Sequence, residues 1–486
     1  MTETTMPDRP NVLWICTDQQ RFDTLGCYGN DFVETPNVDD LAADGVRFER
    51  AYAQSPVCTP SRASFLTGRY PRTTGVRGNG QPIPESETLV TRRLADEGYV
   101  CGLSGKLHVG PAHPDSVDLP MGERRIDDGY ADFQWSHGTT HPSPANEYQR
   151  WLAEEGVEYE ERPVEGCEHV TVGMPPEYHQ TTWCARKAES FVERAAEGDE
   201  PWLYSVNPFD PHHAFVAPDG YLQRYLDRLE EIPLPDYEPG ELDDKPPWYR
   251  ECHEGAYANP DLFPYAEMDE RDHRLVTAAY WAMCDLIDDA VGRLLDALER
   301  TGQREDTIVI FTSDHGELLG DHGVYLKGAF FYEESLRVPL VVDGPGVESG
   351  VETDALVELV DLAPTLMEAA GEPVPRAMQG ESLWPLLTGE TDAERHRDSV
   401  YAEAYDAVHW QEPTDYSTMV RTDEYKLVRH HRAETGELYD LNADPDERTN
   451  RWDDPDYDDV RSELLATLSD RMAETADPLP ERQTPW

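Results

Sequence analysis

Positive charge is scarce in this sequence, and lysine is its scarcest source. Among 486 residues there are five lysines, and lysine and arginine together number 41 against 98 aspartates and glutamates. The formal net charge at neutral pH is therefore −57. A surface this negative repels nucleic acid and anionic lipid, so the composition excludes both as partners. Each remaining lysine then calls for a physical reason.

Long apolar runs, paired cysteines and an export signal are absent as well. No segment approaches the roughly 20 apolar residues of a membrane-spanning helix. The opening MTETTMPDRPNVLWIC has neither the basic region nor the apolar stretch of a signal peptide. The eight cysteines are scattered without a C-x-x-C pair or a disulfide framework. These absences predict a cytoplasmic protein with reduced thiols and no membrane partner.

The acidic, lysine-poor composition also carries information about environment. It is typical of proteins from salt-loving organisms, in which molar salt screens the repulsion between like charges. We therefore expect a halophilic protein, as in the archaea that live in concentrated brine.

Short apolar runs recur along the chain with helical stretches between them. Such runs are typical of strands that are buried on both faces of a sheet. The runs are Asn11–Asp18, Tyr99–Gly105, Pro201–Asn207, Thr307–Asp314 and Arg337–Gly344. The longest predicted helix, Asp272–Gly302, ends just before one of them. This alternation predicts an α/β fold with a large, mostly parallel sheet and helices on both faces.

Two regions break the alternation, and the C-terminal part changes pattern again. Residues from about 111 to 180 and from 217 to 264 are rich in proline, glycine, tyrosine and acid, and we interpret them as insertions over the functional edge of the sheet. Towards the end, VRTDEYKLVRH and GELYDLNADPDERTN read as antiparallel strands, followed by a helix at about 460–474. We predict an α/β domain over 1–375 and a small C-terminal α+β subdomain over 376–486.

The stretch SPVCTPSRASFLTGRYP places Cys58 at the predicted start of a helix. Free backbone N–H groups and the positive end of the helix dipole favour an anion there, and Arg62 follows one turn later. The string CTPSRASFLTG resembles the signature of the sulfatases. That resemblance implies that a maturation enzyme reads the motif and oxidises Cys58 to formylglycine (3-oxoalanine), and that Arg62 holds the aldehyde hydrate.

The hydrate explains why a sulfatase needs an aldehyde. It carries two hydroxyls on one carbon, and one of them, bound to a metal, attacks the sulfur of the ester. The other then expels sulfate as the aldehyde re-forms. A serine at position 58 would be able to attack but would have no such escape.

Two strand ends supply a predicted metal site. Asp18-Gln19 and Asp314-His315 each follow a predicted strand, and the carboxyl ends of parallel strands meet at one edge of a sheet. Either pair alone also fits a turn or a helix cap. The resemblance assigns all four residues, with oxidised Cys58, to one divalent cation, Ca²⁺ in the first place.

These pairs depart from the commoner pattern of the family. Many members carry Asp-Asp and Asp-Asn, whereas Asp-Gln and Asp-His also occur in formylglycine-dependent phosphonate monoester and phosphodiester hydrolases. The smaller negative charge and the imidazole admit Mg²⁺ or Mn²⁺ in place of Ca²⁺.

Three further stretches carry the other catalytic groups that the resemblance implies. In SGKLHVG, Lys106 and His108 lie two apart, so an extended backbone points both to one side; His108 would be the base that helps sulfate leave. In NPFDPHHAF, His212 would protonate the leaving alcohol, in preference to its neighbour His213. Lys327 would bind the sulfate and the leaving oxygen.

Lys106 and Lys327 are thus two of the five lysines, and they fall where a tetrahedral anion needs positive charge. With Arg62 they predict a locally positive pocket in a strongly negative protein. The sequence does not decide whether His322 supports this site or has no role in it.

The resemblance covers nearly the whole chain, including DLAPTLMEAAG and ELYDLNADPDERTN. It implies the three-layer α/β/α architecture of the alkaline phosphatase superfamily, with residues 1–375 as the catalytic domain. We predict a sulfuric ester hydrolase that acts on a small-molecule or saccharide sulfate ester. The alternatives are a phosphonate monoester or phosphodiester hydrolase using the same site, and a non-catalytic binding protein in which Cys58 stays a thiol.

The leaving alcohol and the oligomeric state stay open at this stage. Choline, a sugar, a polysaccharide end and an aryl alcohol all fit the motifs. Four aromatic residues in or near the first insertion either stack on such a group or serve only in packing: Tyr130, Trp135, Trp151 and Trp183.

Overall fold

A computed structural model describes residue 7 and residues 9–112, 122–406 and 416–484. Its strands in chain order are β1 (Asn11–Thr17), β2 (Val46–Phe48), β3 (Ala51–Tyr52), β4 (Val100–Gly105), β5 (Tyr130–Trp135), β6 (Arg162–Pro163), β7 (Val170–Val172), β8 (Trp202–Asn207), β9 (Phe215–Ala217), β10 (Thr307–Ser313), β11 (Arg337–Val338), β12 (Leu340–Asp343), β13 (Val351–Thr353), β14 (Val357–Glu358), β15 (Val400–Tyr405), β16 (Tyr416–Arg421), β17 (Tyr425–His430) and β18 (Gly436–Asp440).

Besides short 3₁₀ helices, the described residues form the α-helices α1 (Pro36–Asp44), α2 (Cys58–Thr67), α3 (Pro71–Thr74), α4 (Val90–Asp96), α5 (Glu147–Glu155), α6 (Gln180–Ala195), α7 (Asp219–Leu226), α8 (Pro247–His253), α9 (Glu270–Thr301), α10 (Glu333–Leu336), α11 (Leu362–Ala369), α12 (Trp384–Leu387) and α13 (Asp458–Glu474). None of them combines the length and the apolar character that a bilayer span requires.

The centre of the molecule is an eight-stranded mixed sheet in the order β13-β2-β12-β10-β1-β8-β4-β5. The five strands from β10 to β5 are parallel to one another, whereas β12 runs antiparallel to both β10 and β2. The predicted mostly parallel sheet is therefore confirmed, with its antiparallel pairs confined to one side.

Alternate residues of β1 face two separate layers of helices. Leu13 and Ile15 pack in a cluster with residues of α1, α6 and α9. Val12 and Trp14 pack on the other side with residues of α2, α4 and α11. Both faces of the strand are buried because each carries a helix layer, which is why its sequence reads as a continuous apolar run. The architecture is the predicted α/β/α arrangement.

Two predicted elements differ in their boundaries. Arg337–Gly344 is not one strand, since Pro339 separates β11 from β12 and the two belong to different sheets. Proline has no N–H for the ladder, so it interrupts the strand. The long helix begins at Glu270 rather than Asp272, because the Asp269 carboxylate caps it by accepting from the N–H of Arg271 at 2.8 Å.

The first insertion contains more regular structure than its composition predicts. It supplies β5 as the edge strand of the large sheet, paired with β4, and the helix α5. Only the first and last residues of β5 are buried, because an edge strand is covered on fewer sides, and its sequence therefore lacks the apolar run of the central strands.

The C-terminal region forms the predicted small subdomain. Strands β15 to β18 make a four-stranded antiparallel sheet, and α13 buries Leu464 and Leu468 in a cluster with residues of that sheet. The sheet begins at Val400, well after residue 375, and the position of the domain boundary itself stays a prediction.

Candidate active site

The carboxyl ends of four neighbouring parallel strands deliver the polar residues of the site. Asp18 directly follows β1, Asp314 directly follows β10, and Lys106 directly follows β4. His212 lies five residues beyond the end of β8. These strands are adjacent in the order β10-β1-β8-β4, so their ends lie side by side at one edge of the sheet.

The structure brings all the predicted site residues together at this edge. They are Asp18, Gln19, Cys58, Arg62, Lys106, His108, His212, Asp314, His315 and Lys327. Direct contacts join nine of them around Cys58, and His108 is linked to the same helix start through Thr59.

Cys58 is the first residue of α2, a helix whose residues are all buried. Its Sγ lies 3.1 Å from Nε2 of His315, and Lys327 Nζ and Lys106 Nζ donate to it at 2.9 and 3.5 Å. Burial alone would raise the pKa of the thiol, but the two lysines outweigh it and lower the pKa to about 7. The environment therefore favours a negatively charged group at this position.

Four buried side chains, that of Cys58 among them, form a cluster of metal-type donors. One ligand atom each from Asp18, Cys58, Asp314 and His315 lies within 4.8 Å of the others. The Nδ1 of His315 is 2.8 Å from the Gly316 carbonyl oxygen, so Nε2 faces the cluster. Burial alone would raise the pKa of Asp18, but Lys106 and the other cations outweigh it and hold that pKa well below its usual range.

Arg62 and Gln19 hold the Asp314 carboxylate in place. Arg62 Nε donates to Asp314 Oδ2 at 2.7 Å, and the Gln19 N–H donates to Oδ1 at 3.0 Å. The Gln19 side chain lies beside the cluster, where its Oε1 accepts from Lys327 Nζ at 2.6 Å and its amide group donates to Glu317. Glu317 was not predicted from the sequence.

Lys106 reaches the cluster because the chain turns sharply after β4. Gly105 has a φ of 103°, and a Cβ there would overlap the carbonyl oxygen of Asn207 on the neighbouring strand. Only glycine fits such a position. The Lys106 ammonium then pairs with Asp18, and its carbonyl accepts from Arg62 Nη1 at 3.0 Å.

His108 is fixed by a buried carboxylate that no sequence pattern predicts. Glu123 accepts the backbone N–H groups of His108 and Gly110 at 2.8 and 2.9 Å, and that of Val109. His108 Nε2 lies 3.0 Å from the Thr59 hydroxyl, next to Cys58. Glu123 sits in an insertion without periodicity, so no local pattern connects it with the histidine.

His212 and His213 stack on each other beside Lys327 and Gln19, with ring centroids 4.1 Å apart. His212 Nε2 is 2.7 Å from Lys327 Nζ, and His213 Nδ1 is 3.4 Å from Gln19 Nε2. Burial, and after it the positive charge of Lys327, lowers the pKa of both imidazoles well below the usual value. His212 is thus the histidine in contact with a predicted anion-binding lysine.

A cleft of about 950 Å³ opens beside these groups. Cys58, Lys106 and Lys327 line it, and both predicted insertions contribute to its wall. His137 and His141 come from the first insertion and Tyr257 from the second. The insertions therefore cover the functional edge as predicted, although their individual wall residues carry no readable pattern in the sequence.

His322 takes no part in the site. Its ring is buried against Tyr332, with ring centroids 3.6 Å apart, and its nitrogens face Glu241 and Glu334 at 2.5 and 3.5 Å. Burial alone would lower its pKa, but the two carboxylates raise it to about 10. His322 is an ion-paired histidine inside the fold.

Of the four aromatic residues considered for stacking, none lines the cleft. Trp183, Trp151 and Tyr130 are buried in hydrophobic clusters. Trp135 packs edge-on against His141, with ring centroids 5.3 Å apart. Packing is the role that the structure gives them.

Comparison with known proteins agrees with this geometry. The family model for sulfatases matches residues 10–372, and the model for the C-terminal region of N-sulphoglucosamine sulphohydrolase matches residues 320–474. An uncharacterized sulfatase of Escherichia coli K12, YidJ, is 33% identical over an alignment of 487 positions, and the alignment covers 98% of this chain and 90% of that protein. A choline-sulfatase of Rhizobium meliloti is 31% identical over 458 residues, covering 92% and 83%.

Among solved structures, a phosphonate monoester hydrolase of Silicibacter pomeroyi superposes with a TM-score of 0.82 at 25% identity, covering 96% of both chains. This likeness confirms the alkaline-phosphatase-like α/β/α fold. The match to the family model over three quarters of the sequence, together with the full-length relatives, places the protein among known enzymes: the chain belongs to the sulfatase family.

Proposed function

We propose that the protein hydrolyses a sulfate monoester through Cys58 after oxidation to formylglycine, with one divalent cation at the adjoining donor cluster. The observation that carries this proposal is the position of the Cys58 sulfur. It lies within hydrogen-bond distance of Lys327 and His315, beside Asp18, and faces a cleft large enough for an ester.

The donor set fits a divalent cation. Asp18, Asp314 and His315 offer oxygen and imidazole donors within a space of 4.8 Å, all of them buried. Arg62 Nη2 is buried nearby without a hydrogen-bond partner among the described residues, and as a cationic donor it fits an oxygen of the hydrate or of the ester, not the cation. Oxygen donors suit Ca²⁺ first, and the imidazole also admits Mg²⁺ or Mn²⁺. When bound, the cation would offset charge on the ester and favour ionisation of an attacking hydroxyl.

Lys106 and Lys327 would bind the sulfate group. Their ammonium groups approach the Cys58 side chain at 3.5 and 2.9 Å, so an anionic group brought to that point meets both charges. The hydrate of the oxidised side chain supplies one hydroxyl to attack sulfur and a second to expel sulfate as the aldehyde re-forms. His108, hydrogen-bonded at the start of α2, would accept the proton in that second step.

His212 would protonate the leaving alcohol. Its Nε2 faces Lys327, and burial with that positive charge lowers its pKa, so the imidazolium is disfavoured unless an anion binds beside it. An anionic ester held by Lys327 would counter this effect and favour protonation of His212 where the leaving oxygen lies.

Oxidation of Cys58 must precede complete folding. The residue is 1% exposed and every residue of α2 is buried, so an external maturation enzyme can reach the motif only in an unfolded segment. A formylglycine-generating maturation enzyme is therefore a proposed partner, and a cytoplasmic location stays a prediction.

The experiment is mass spectrometry of the tryptic peptide Ala51–Arg62 after hydrazide tagging, combined with turnover of p-nitrophenyl sulfate. We expect a tagged aldehyde at position 58 and hydrolysis that Cys58→Ala abolishes. An unmodified thiol, in a host shown to convert another sulfatase, would contradict the proposal and favour the non-catalytic alternative.

A second candidate function, hydrolysis of phosphonate monoesters, is favoured by a specific observation. The solved structure with a TM-score of 0.82 is a phosphonate monoester hydrolase. At the donor cluster, Asp18-Gln19 is the Asp-Gln pair and Asp314-His315 is the Asp-His pair. The ratio of kcat/KM for an aryl sulfate to kcat/KM for the corresponding aryl phosphonate monoester decides between the two. A ratio below one would assign the phosphonate ester as the better substrate.

A further inference from the structure

The cleft beside Cys58 has positive charge at one place only. Of the residues that line it in the described part of the chain, Lys106 and Lys327 are the lysines, and no arginine lines it. Both ammonium groups contact the Cys58 sulfur, so both are committed to the reacting group of the ester. Arg62 is buried and bound to Asp314, so it adds no charge to the cleft wall.

The rest of the wall is built largely of neutral polar side chains, among them Asn79, His137, Thr139, Thr140 and His141. Burial, with the positive charge of Lys106 as a further cause, lowers the pKa of His137 well below its usual value, so its imidazole is neutral near pH 7. Its Nδ1 has no hydrogen-bond partner among the described residues. Imidazole, amide and hydroxyl groups of this kind both donate to and accept from hydroxyls.

The wall also carries one exposed carboxylate. Glu161 accepts from the Tyr159 hydroxyl at 3.1 Å and makes no salt bridge with a lysine or arginine of the described ranges. The other carboxylate in the lining, Asp210, is buried and held by His179 at 3.3 Å and by Thr181. Residues 113–121, which follow the wall residue Ala112 in the chain, contain no lysine or arginine.

We propose that this cleft selects esters whose leaving alcohol is uncharged and hydroxylated, such as a neutral saccharide, and rejects alcohols that carry a carboxylate or a second sulfate. A carboxylate or second sulfate on the alcohol would lose its hydration on entering the cleft. It would find no free cation on the wall, and Glu161 would repel it. Such an unpaired charge costs binding free energy, whereas hydroxyls find partners on the same wall. This inference rests on the proposed function, because it takes the sulfate to lie at Cys58.

The test measures binding and turnover separately. The esters are p-nitrophenyl sulfate, the same ester with a ring carboxylate, and a neutral monosaccharide sulfate. Dissociation constants are measured by calorimetry on the Cys58→Ala protein, and kcat/KM on the active enzyme. We expect the ester with the ring carboxylate to bind at least about tenfold more weakly than p-nitrophenyl sulfate, whose leaving alcohol carries no carboxylate.

Two charge-reversal variants locate the effect. Glu161→Lys places a cation on the wall and is expected to recover most of the loss for the carboxylated ester. Glu158→Lys is the matched control, because Glu158 is exposed on the same segment but does not line this cleft. It changes the net charge equally, and we expect it to leave the ratio of the two dissociation constants unchanged.

The outcomes separate the two proposals. Equal binding of the neutral and carboxylated esters, or an equal response to both variants, would overturn the specificity inference. Tighter binding of choline sulfate than of the neutral saccharide ester would also overturn it, because Glu161 would then select a cation. Discrimination in binding without turnover of any ester would retain the inference about the cleft and overturn sulfate ester hydrolysis.

Discussion

Lys327 is the residue on which several groups of the site converge. Its ammonium donates to Gln19, faces His212 and contacts the Cys58 sulfur, all within 2.9 Å. In the proposed reaction a charge in this position would act on both ends of the bond to be broken, because it would bind the anion and it lowers the pKa of His212, the proposed proton donor.

We expect Lys327→Ala to lower kcat/KM for a sulfate ester by about 10²-fold or more, since it removes a preorganised donor from the reacting group. The measurement is initial rates on p-nitrophenyl sulfate with the formylglycine content fixed by mass spectrometry. Lys187→Ala, on α6 and outside the cleft, is the control and should stay at the wild-type rate. A Lys327→Ala rate within about twofold of wild type would contradict the proposed role.

At the scale of elements, α9 carries buried carboxylates that accept hydrogen bonds from backbone N–H groups just before α1 and in its first turn. Asp285 accepts the Glu34 N–H at 2.9 Å, and Asp288 accepts the Val38 N–H at 2.8 Å. Burial raises the pKa of Asp285 to about 7 and that of Asp288 to about 6, since their hydrogen bonds offset only part of the desolvation.

The sign of the resulting pH dependence follows from the direction of the shift. The pKa of Asp285 rises from its ordinary value of 3.8 to about 7 on folding, so the folded state binds this proton more tightly. Its contribution to stability is fully present below pH 3.8 and is lost as the pH rises towards 7. We expect Asp285→Asn to remove that loss, about 3 kcal/mol between about pH 4 and pH 7.

Urea unfolding at several pH values tests this expectation. The informative quantity is the difference between variant and wild type, because every other carboxylate contributes equally to both. Asp296→Asn lies on the same helix at an exposed position and should follow the wild-type curve. Parallel curves for Asp285→Asn and wild type would show that the carboxylate is already neutral throughout this range, or equally charged in both states.

Sequence reading succeeded where an element is buried on both faces or where a motif is local. The central strands and the Cys58 helix were predicted because each apolar run, like the C-x-P-S-R string, is contained in a few consecutive residues. Glu123, Glu317 and two histidines of the cleft wall, His137 and His141, were not predicted, because they come from across the fold and from segments without periodicity. Likewise, the edge strand β5 and the break at Pro339 depend on pairing partners that local sequence does not name.

At the scale of the whole molecule, a buried ion pair joins the second insertion to the C-terminal sheet. Lys245, just before α8, pairs with Glu437 of β18 at 2.9 Å, and the same carboxylate accepts from the Tyr249 hydroxyl at 2.5 Å. Both charged side chains are almost completely buried. The insertion that supplies Tyr257 to the cleft is thereby anchored to the subdomain.

We expect Lys245→Ala to destabilise the protein by about 3 kcal/mol, the low end for a broken buried pair, because Glu437 would stay buried and lose its lysine while keeping His430 at 2.8 Å. Equilibrium unfolding in urea measures the change. Arg250→Ala serves as the control, since its pair with Asp243 is exposed and should contribute about 1 kcal/mol at most. Similar losses for the two variants would show that the buried pair has no special weight.

The net charge of −57 leads to a prediction about salt. We expect the midpoint of thermal unfolding to rise as KCl increases from about 0.1 M to about 2 M, because salt screens repulsion that the compact state concentrates. Chloride is the suitable anion, since sulfate would also occupy the proposed product site. A midpoint that is constant or falls over this range would contradict adaptation to a saline environment.

The placement of the lysines has a practical consequence for chemical labelling. Lys106, Lys245, Lys327 and Lys426 are buried, and only Lys187 is not. Among the lysines, an amine-reactive dye or resin would therefore attach to the folded protein at Lys187, leaving those of the cleft untouched. After selective blocking of the N-terminus, the enzyme could be immobilised through one defined point on α6, in a single orientation.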